Sequence, residues 1–444
     1  MRVNNNKRGA RPLVAIVGRA NVGKSTLFNR ILGRKKAIVA DLSGVTRDLN
    51  YADIEDADVP FTIVDTGGFE VSAEGIMNDV RTQARFAIEE ADVIVFLMDG
   101  KAGLGHGDRE IAAILRKAGK PVIYAVNKID SPSREALLAE FYGLGVERVI
   151  GVSAEHGLNI PELTDALEEV LPVFDSVSDD TSRTALAIVG RPNVGKSSLL
   201  NRLIGRKRSL VSDMAGTTRD SIDTPVSLGG RDYLFIDTAG IRKKHKVSQT
   251  VESYCVLEAI RSMERSDITL LVLDGKAGIR TQDERIAGII EERKKPCLIV
   301  VNKWDIVEKD THTMALVEED IRERLAFIYY APIVFVSALT SRRVERILPA
   351  AEGVLGEVGK KISTSRLNAA LREITEVHRP PLYRHKPVKF YYATQLGAAP
   401  PAFIIFVNKP EGLKDSYKRY LEKSMRAALE LDQVPLRFVF RRRH

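Results

Sequence analysis

The chain carries the same eight-residue loop twice: Gly18-Arg19-Ala20-Asn21-Val22-Gly23-Lys24-Ser25 and Gly190-Arg191-Pro192-Asn193-Val194-Gly195-Lys196-Ser197. The shared pattern, G-x-x-x-x-G-K-[ST], admits few backbone paths. Its glycines let consecutive N–H groups turn inward around an anion, and a helix opening straight after it aims its positive end at the same anion. A strand must deliver the chain to this loop and a helix must carry it away, so each copy predicts a β–loop–α unit that binds phosphate oxygens. The copies begin 172 residues apart (190 − 18). That period is too long for a solenoid repeat and fits a whole domain.

Apolar runs of strand length recur with helical patterns between them. In the first copy they are Leu13–Val17, Phe61–Val64, Val93–Met98, Val122–Val126 and Arg148–Val152. In the second they are Ala185–Val189, Tyr233–Ile236, Ile268–Leu273, Cys297–Val301 and Pro332–Val336. Unbroken apolar strands are expected when both faces of a sheet are covered. The fold class is therefore α/β: two tandem P-loop domains, each a mostly parallel sheet with helices on both faces, plus a C-terminal α+β module. The boundaries read as a basic extension 1–12, a first domain 13–171, an acidic linker 172–184 with Asp175, Asp179 and Asp180, a second domain 185–360, a small module 361–440 and a basic tail 441–444. Within the module the order is helix Ser365–Val377, strand Val388–Ala393, strand Phe403–Val407, helix Leu413–Leu429 and strand Leu436–Phe440.

No apolar run approaches the roughly 20 residues of a membrane helix, and no signal-peptide core follows Met1–Pro12. The two cysteines, Cys255 and Cys297, sit in unrelated contexts and read as core thiols in a reducing cytoplasm. The net charge is +8. Residues 361–444 hold 17 Lys/Arg and 7 Asp/Glu, or +10, which leaves −2 for the rest. That asymmetry points to a polyanion partner for the module.

Each loop is followed by the same series of motifs. Lys24 and Lys196 are placed to neutralise β/γ-phosphate charge, and Ser25 and Ser197 to ligate Mg²⁺ by their hydroxyls, with Thr26 and Ser198 continuing into the helix. Thr46 and Thr218 lie 28 residues after the first glycine (46 − 18, 218 − 190), and a threonine there completes a Mg²⁺ shell and senses the γ-phosphate. Asp65-Thr66-Gly67-Gly68 and Asp237-Thr238-Ala239-Gly240 lie 47 residues on (65 − 18, 237 − 190), with the Asp near the metal and Gly68 or Gly240 offering a backbone N–H to the γ-phosphate. Asn127-Lys128-Ile129-Asp130 and Asn302-Lys303-Trp304-Asp305 supply a carboxylate for the two donors of a guanine edge, a pair that adenine lacks. Ser153-Ala154 and Ser337-Ala338 bring an Ala N–H to the guanine oxygen. The ligand set is GTP/GDP with Mg²⁺.

This series resembles a translation-factor-type GTPase domain, twice. The tandem arrangement with a basic third module resembles the bacterial EngA (Der) family of ribosome-assembly GTPases, from about Leu13 to Phe440. The resemblance implies a cytoplasmic monomer that hydrolyses GTP to GDP and phosphate and assists maturation of the large ribosomal subunit through its rRNA, with no DNA partner and no membrane anchor. The module is similar to a KH domain, but its only glycines are Gly397 and Gly412, so no G-x-x-G clamp exists. Contact with rRNA phosphates then falls to Lys414, Lys418, Arg419, Lys423 and Arg426 on one side of a helix.

Ras-like enzymes orient water with a Gln after D-x-x-G; here Phe69 and Ile241 stand there. Related GTPases with Asn at the position of Asn21 and Asn193 use it to hold potassium, whose charge substitutes for an arginine finger. The expectation is potassium-stimulated hydrolysis with Lys24, Thr46, Gly68 and Asn21, or Lys196, Thr218, Gly240 and Asn193, as the acting set. The alternative is an rRNA-binding scaffold whose nucleotide turns over slowly. Ala20, where the second copy has Pro192, predicts a looser first loop. Ile241–Lys246 reads as a basic loop, and His106 as a loop residue.

Overall fold

The computed structural model describes residues 11–34, 37–39, 50–55, 57–66, 88–172, 183–205, 223–236, 252–308, 312–380 and 382–443. The expectations for Thr46, Gly67, Gly68, Phe69, Thr218, Asp237, Thr238, Ala239, Gly240, Ile241 and the basic run to Lys246 lie outside these residues. Two units form: one holds the described residues within 9–178 and 245–264, the other those within 179–244 and 265–444.

The first unit is built on strands Leu13–Val17 (β1), Ala37–Val39 (β2), Asn50–Ile54 (β3), Phe61–Asp65 (β4), Val93–Asp99 (β5), Val122–Asn127 (β6) and Val149–Gly151 (β7), in the order β2-β3-β4-β1-β5-β6-β7. Strands β4, β1, β5, β6 and β7 run parallel, while β3 joins β4 antiparallel. The central strands are buried along their whole length, as their unbroken apolar sequence requires. Helices Lys24–Arg34 and Ile160–Val170 seal one face, and His106–Ala118 with the 3₁₀ segment Pro132–Leu144 seals the other.

The second unit repeats the plan with Thr184–Val189 (β8), Thr224–Leu228 (β9), Arg231–Phe235 (β10), Ile268–Asp274 (β11), Cys297–Asn302 (β12) and Ile333–Phe335 (β13), in the order β13-β12-β11-β8-β10-β9. Every central strand lies where its apolar run stands. Thr184, assigned to the linker, is instead the first residue of β8. The antiparallel strands β3 and β9 have no apolar run to reveal them. Asn50–Ile54 is interrupted by Asn50 and Asp53, and Thr224–Leu228 holds a proline and sits at the sheet edge, where a missing N–H costs no ladder bond.

Helix Thr364–Val377, strands Leu382–Tyr383 (β14), Lys386–Pro387 (β15), Phe390–Ala398 (β16) and Pro401–Val407 (β17), helix Asp415–Leu429 and strand Arg437–Arg442 (β18) make the C-terminal module. Its sheet is β16-β17-β18, antiparallel then parallel. Arg441 and Arg442, read as tail, continue β18 because they pair with Phe406 and Val407. A single apolar core runs from Leu186 and Leu270 through Val354 and Val358 to Leu367, Ile405 and Leu421. The module therefore shares its interior with the second sheet.

Arg426 corrects the surface reading of helix Asp415–Leu429. It is only 3% exposed. Its guanidinium lies 4.5 Å from the ring centre of Tyr330 and 5.4 Å from that of Tyr329, and it donates to the carbonyls of Leu431 (3.0 Å) and Val434. Planar stacking and fixed donors suit arginine to such a site. Lys414, Arg419 and Lys423 remain exposed, and Lys418 pairs with Asp415 at 2.9 Å.

Cys297 is fully buried in β12, and burial pushes its thiol up to about 12. Alkylation of the native protein at pH 8, followed by peptide mapping, is expected to leave Cys297 unmodified, whereas denaturant exposes it. Rapid native labelling at this residue would contradict the packing.

Candidate functional site

In both units the loop leaves the central strand and enters a helix at the C-terminal edge of the sheet, where ligands of open parallel sheets bind. The loop's path is enforced locally. A Cβ on Gly18 would lie 2.2 Å from the Leu97 carbonyl oxygen, and one on Gly190 would lie 2.4 Å from that of Val272. Asn21 (φ 62°) and Asn193 (φ 64°) occupy the left-handed region that Asn tolerates. Val22 and Val194 anchor the loops in the cores. Lys24 turns back over its loop, with Nζ 3.1 Å from Gly18 O and 2.7 Å from Arg19 O. Lys196 does the same to Gly190 O (2.6 Å) and Arg191 O (2.9 Å).

The Asn-Lys-x-Asp motifs are tied to the glycine-rich loops by one asparagine in each copy. Asn127 donates through Nδ2 to Val22 O (2.8 Å) and accepts at Oδ1 from Ala154 N (2.9 Å). Asn302 donates to Val194 O (2.9 Å) and accepts from Ala338 N (2.9 Å). Three sequence-distant segments thus converge twice with the same bonds. Ile129 and Trp304 are buried beneath the motif, the latter 4.5 Å from the Phe335 ring centre. Register places Asp65 beside Ile16, and Thr66 Oγ1 donates to Ile16 O at 2.6 Å, so the end of β4 lies next to the strand feeding the first loop. Ser25 and Thr26, like Ser198, lie exposed in the first turn of their helix, with Ser197 half-buried.

The carboxylates that close the two Asn-Lys-x-Asp motifs differ. Asp130 accepts from Ser153 Oγ (3.0 Å), Lys101 Nζ (3.0 Å) and Arg134 Nη1 (2.5 Å). The Lys101 bond, then that of Ser153, holds its carboxyl below the usual range. Asp305 has a buried Oδ1 that no donor reaches among the described residues. The residue helps line a cavity of about 180 Å³, with Trp304, Thr313, Ser337 and Arg343 among its other walls.

Residues outside the sequence motifs complete the site. Asp99 and Asp274 take the Lys128 and Lys303 ammonium groups, the second at 2.7 Å. Their carboxyls are held low: burial opposes ionisation, but the lysine bond and two backbone N–H bonds outweigh it. Arg30 and Arg202, one in each helix after the loop, donate to Ala154 O (2.8 Å) and Ala338 O (3.2 Å). The signal that finds them is the same residue type at a matching offset in both copies. His106 is the first residue of helix His106–Ala118 rather than loop, and its side chain is 87% exposed, 3.6 Å from Glu110.

A family model described as "50S ribosome-binding GTPase" matches residues 13–128 and 185–303, and one described as "KH-domain-like of EngA bacterial GTPase enzymes, C-terminal" matches residues 361–441. GTPase Der of Geobacter metallireducens is 47% identical over 433 residues, spanning 97% of this chain and 99% of the relative. GTPase Der of Moorella thermoacetica is also 47% identical, with the same coverage. Among solved structures, Aquifex aeolicus Era bound to GDP and AlF4⁻ aligns at 25% identity over 59% of this chain and 93% of that chain, with a TM-score of 0.30.

Proposed function

Because this chain belongs to the Der family of GTPases, we propose that each of its two loop-bearing units is a separate GTP site, and that their states govern binding to the large ribosomal subunit. The observation that carries this reading is the duplicated asparagine clamp, Asn127 on Val22 and Ala154 and Asn302 on Val194 and Ala338, which unites phosphate and base segments in each copy.

In each site the loop N–H groups, with Lys24 or Lys196, hold the phosphates. Lys24 and Lys196 exchange their loop carbonyl partners for phosphate oxygens. Asp130 or Asp305 accepts the guanine N1–H and amine. The Ala154 and Ala338 N–H groups, expected from the sequence to meet the guanine oxygen, instead donate to Asn127 Oδ1 and Asn302 Oδ1, because these bonds tie the base segments to the phosphate loops. The donor set fits Mg²⁺: the Ser25 hydroxyl in a first helical turn and the Asp65 carboxylate at the end of β4 are hard oxygens. Thr46 would complete this set, and Ser197, Thr218 and Asp237 the second. Mg²⁺ supplies charge neutralisation at the β/γ oxygens.

Phe69 and Ile241 offer no polar group to water, so the extra charge for hydrolysis is assigned to potassium at Asn21 and Asn193. Both side chains are exposed on the loop, without a hydrogen bond among the described residues, which leaves their oxygens available to a cation. The +10 charge of residues 361–444 supports the rRNA contact.

The test is GTP turnover in KCl and in NaCl, with and without large ribosomal subunits. Turnover is expected to be on the order of tenfold or more faster in KCl, and the gain is expected to vanish in the Asn21→Ala, Asn193→Ala double variant. Equal rates in the two salts would sink the potassium assignment. Negligible turnover throughout, with subunit binding intact, would favour the scaffold.

A further inference from the structure

The second residue of each phosphate loop is an arginine whose side chain turns away from the phosphate pocket. Arg19 donates through Nε (2.8 Å) and Nη2 (2.8 Å) to the two carboxylate oxygens of Asp108, which is fully buried in the first turn of helix His106–Ala118. It also reaches Gly103 O at 3.3 Å. The second copy repeats this. Arg191 Nε lies 3.0 Å from Asp283 Oδ2, and Nη2 lies 3.4 Å from Gly278 O, with Asp283 fully buried in the first turn of helix Thr281–Glu292. Each aspartate also accepts a backbone N–H three residues upstream, from Gly105 (2.9 Å) and Arg280 (3.0 Å).

The segments 99–108 and 274–283 are fastened at their other end as well. Asp99 accepts from Lys101 N (2.9 Å), Ala102 N (3.2 Å) and the Lys128 ammonium, which also reaches Asn21 O at 3.3 Å. Asp274 accepts from Lys276 N (3.0 Å), Ala277 N (3.0 Å) and Lys303 Nζ (2.7 Å). One end of each segment therefore holds the phosphate loop, and the other holds the lysine of the base motif. Space is cleared for the arginine in the first copy: a Cβ on Gly105 would lie 2.8 Å from Arg19 Nη1.

We infer that Asp108 and Asp283 are positioning residues for nucleotide binding, acting through Arg19 and Arg191 to pre-set the phosphate loop. This rests on the site reading above. A flexible loop must be ordered when phosphate binds, and a loop already held in the binding shape loses less entropy then. A buried, charge-assisted pair is a strong tether of this kind. The first copy holds its arginine by two close bonds. Among the described residues the second has one, and no donor reaches the buried Asp283 Oδ1. The second loop is therefore the less firmly braced.

The test uses the full chain carrying Lys24→Ala to silence the first site. Release of a fluorescent GDP from the second site is followed after a GDP chase for Arg191→Ala, Asp283→Asn, the double variant and Asp283→Glu. Each single variant is expected to release GDP about tenfold faster. The double variant should match the singles within about twofold, since both remove one tether. Asp283→Glu should recover part of the loss, and KM for GTP should rise more than kcat falls. Arg191→Gln, on the more exposed side of the pair, carries the test if the buried-side variants do not fold. Release within about twofold of the parent in both singles overturns the inference, and so do multiplying effects in the double. If Lys24→Ala still binds two nucleotides per chain, the site reading itself fails, and the brace is not the cause.

Discussion

Asp305→Asn is expected to weaken GDP binding at the second site by about 2–4 kcal/mol, roughly thirty- to a thousandfold. Asp305 lines the cavity, and among the described residues no donor reaches its buried Oδ1, so a guanine edge that enters there meets an acceptor left unpaired by the protein. An amide at this position accepts once and donates once. It thus loses one guanine bond and gains one to xanthine, whose C2 oxygen accepts. Competition between GDP and XDP for the second site, in a Lys24→Ala background, measures both changes. Unchanged GDP affinity would remove Asp305 from base recognition. At the first site Asp130 already pairs with Lys101, Arg134 and Ser153. Guanine must compete with those partners, so Asp130→Asn should cost less than its counterpart, and the difference should shrink in high salt.

Arg426→Ala is expected to destabilise the second unit by about 3 kcal/mol. The substitution strips the faces of Tyr329 and Tyr330 and leaves the carbonyls of Leu431 and Val434 without their donor. Arg426→Lys should restore little, because an ammonium group has no planar face to lay against the two rings. Urea unfolding followed by the near-ultraviolet signal of the tyrosines reports the change. A loss under about 1 kcal/mol would show that the guanidinium contributes only shape. The module and the second sheet share one apolar core around this residue, so the damage should appear as a lowered midpoint for both together.

The central strands, both phosphate loops and the Asp and Asn of the base motif are legible in the sequence because their chemistry is local. A buried parallel strand must be apolar throughout, and a loop that wraps phosphate must carry glycine where a Cβ would strike Leu97 or Val272. Strands β3 and β9 escape because polar residues or a proline interrupt them, so neither forms an unbroken apolar run. Arg426 looks solvent-facing by helical spacing alone, since its burial depends on Tyr329 and Tyr330, nearly a hundred residues earlier (426 − 330 = 96). Asp108 and Asp283 escape for the same reason: their partners Arg19 and Arg191 lie 89 and 92 residues away. A comparison of the two copies still contains the clue, since each arginine and its aspartate recur in both.

The central claim is that one chain holds two guanine-nucleotide sites of the same construction. Calorimetric titration of the nucleotide-free protein with GDP and with ADP, in MgCl₂ and KCl, tests it most directly, together with the same titrations of Lys24→Ala and Lys196→Ala. The account predicts two GDP per wild-type chain, one for each single variant and no ADP. One GDP per wild-type chain, or ADP bound as well as GDP, would contradict it.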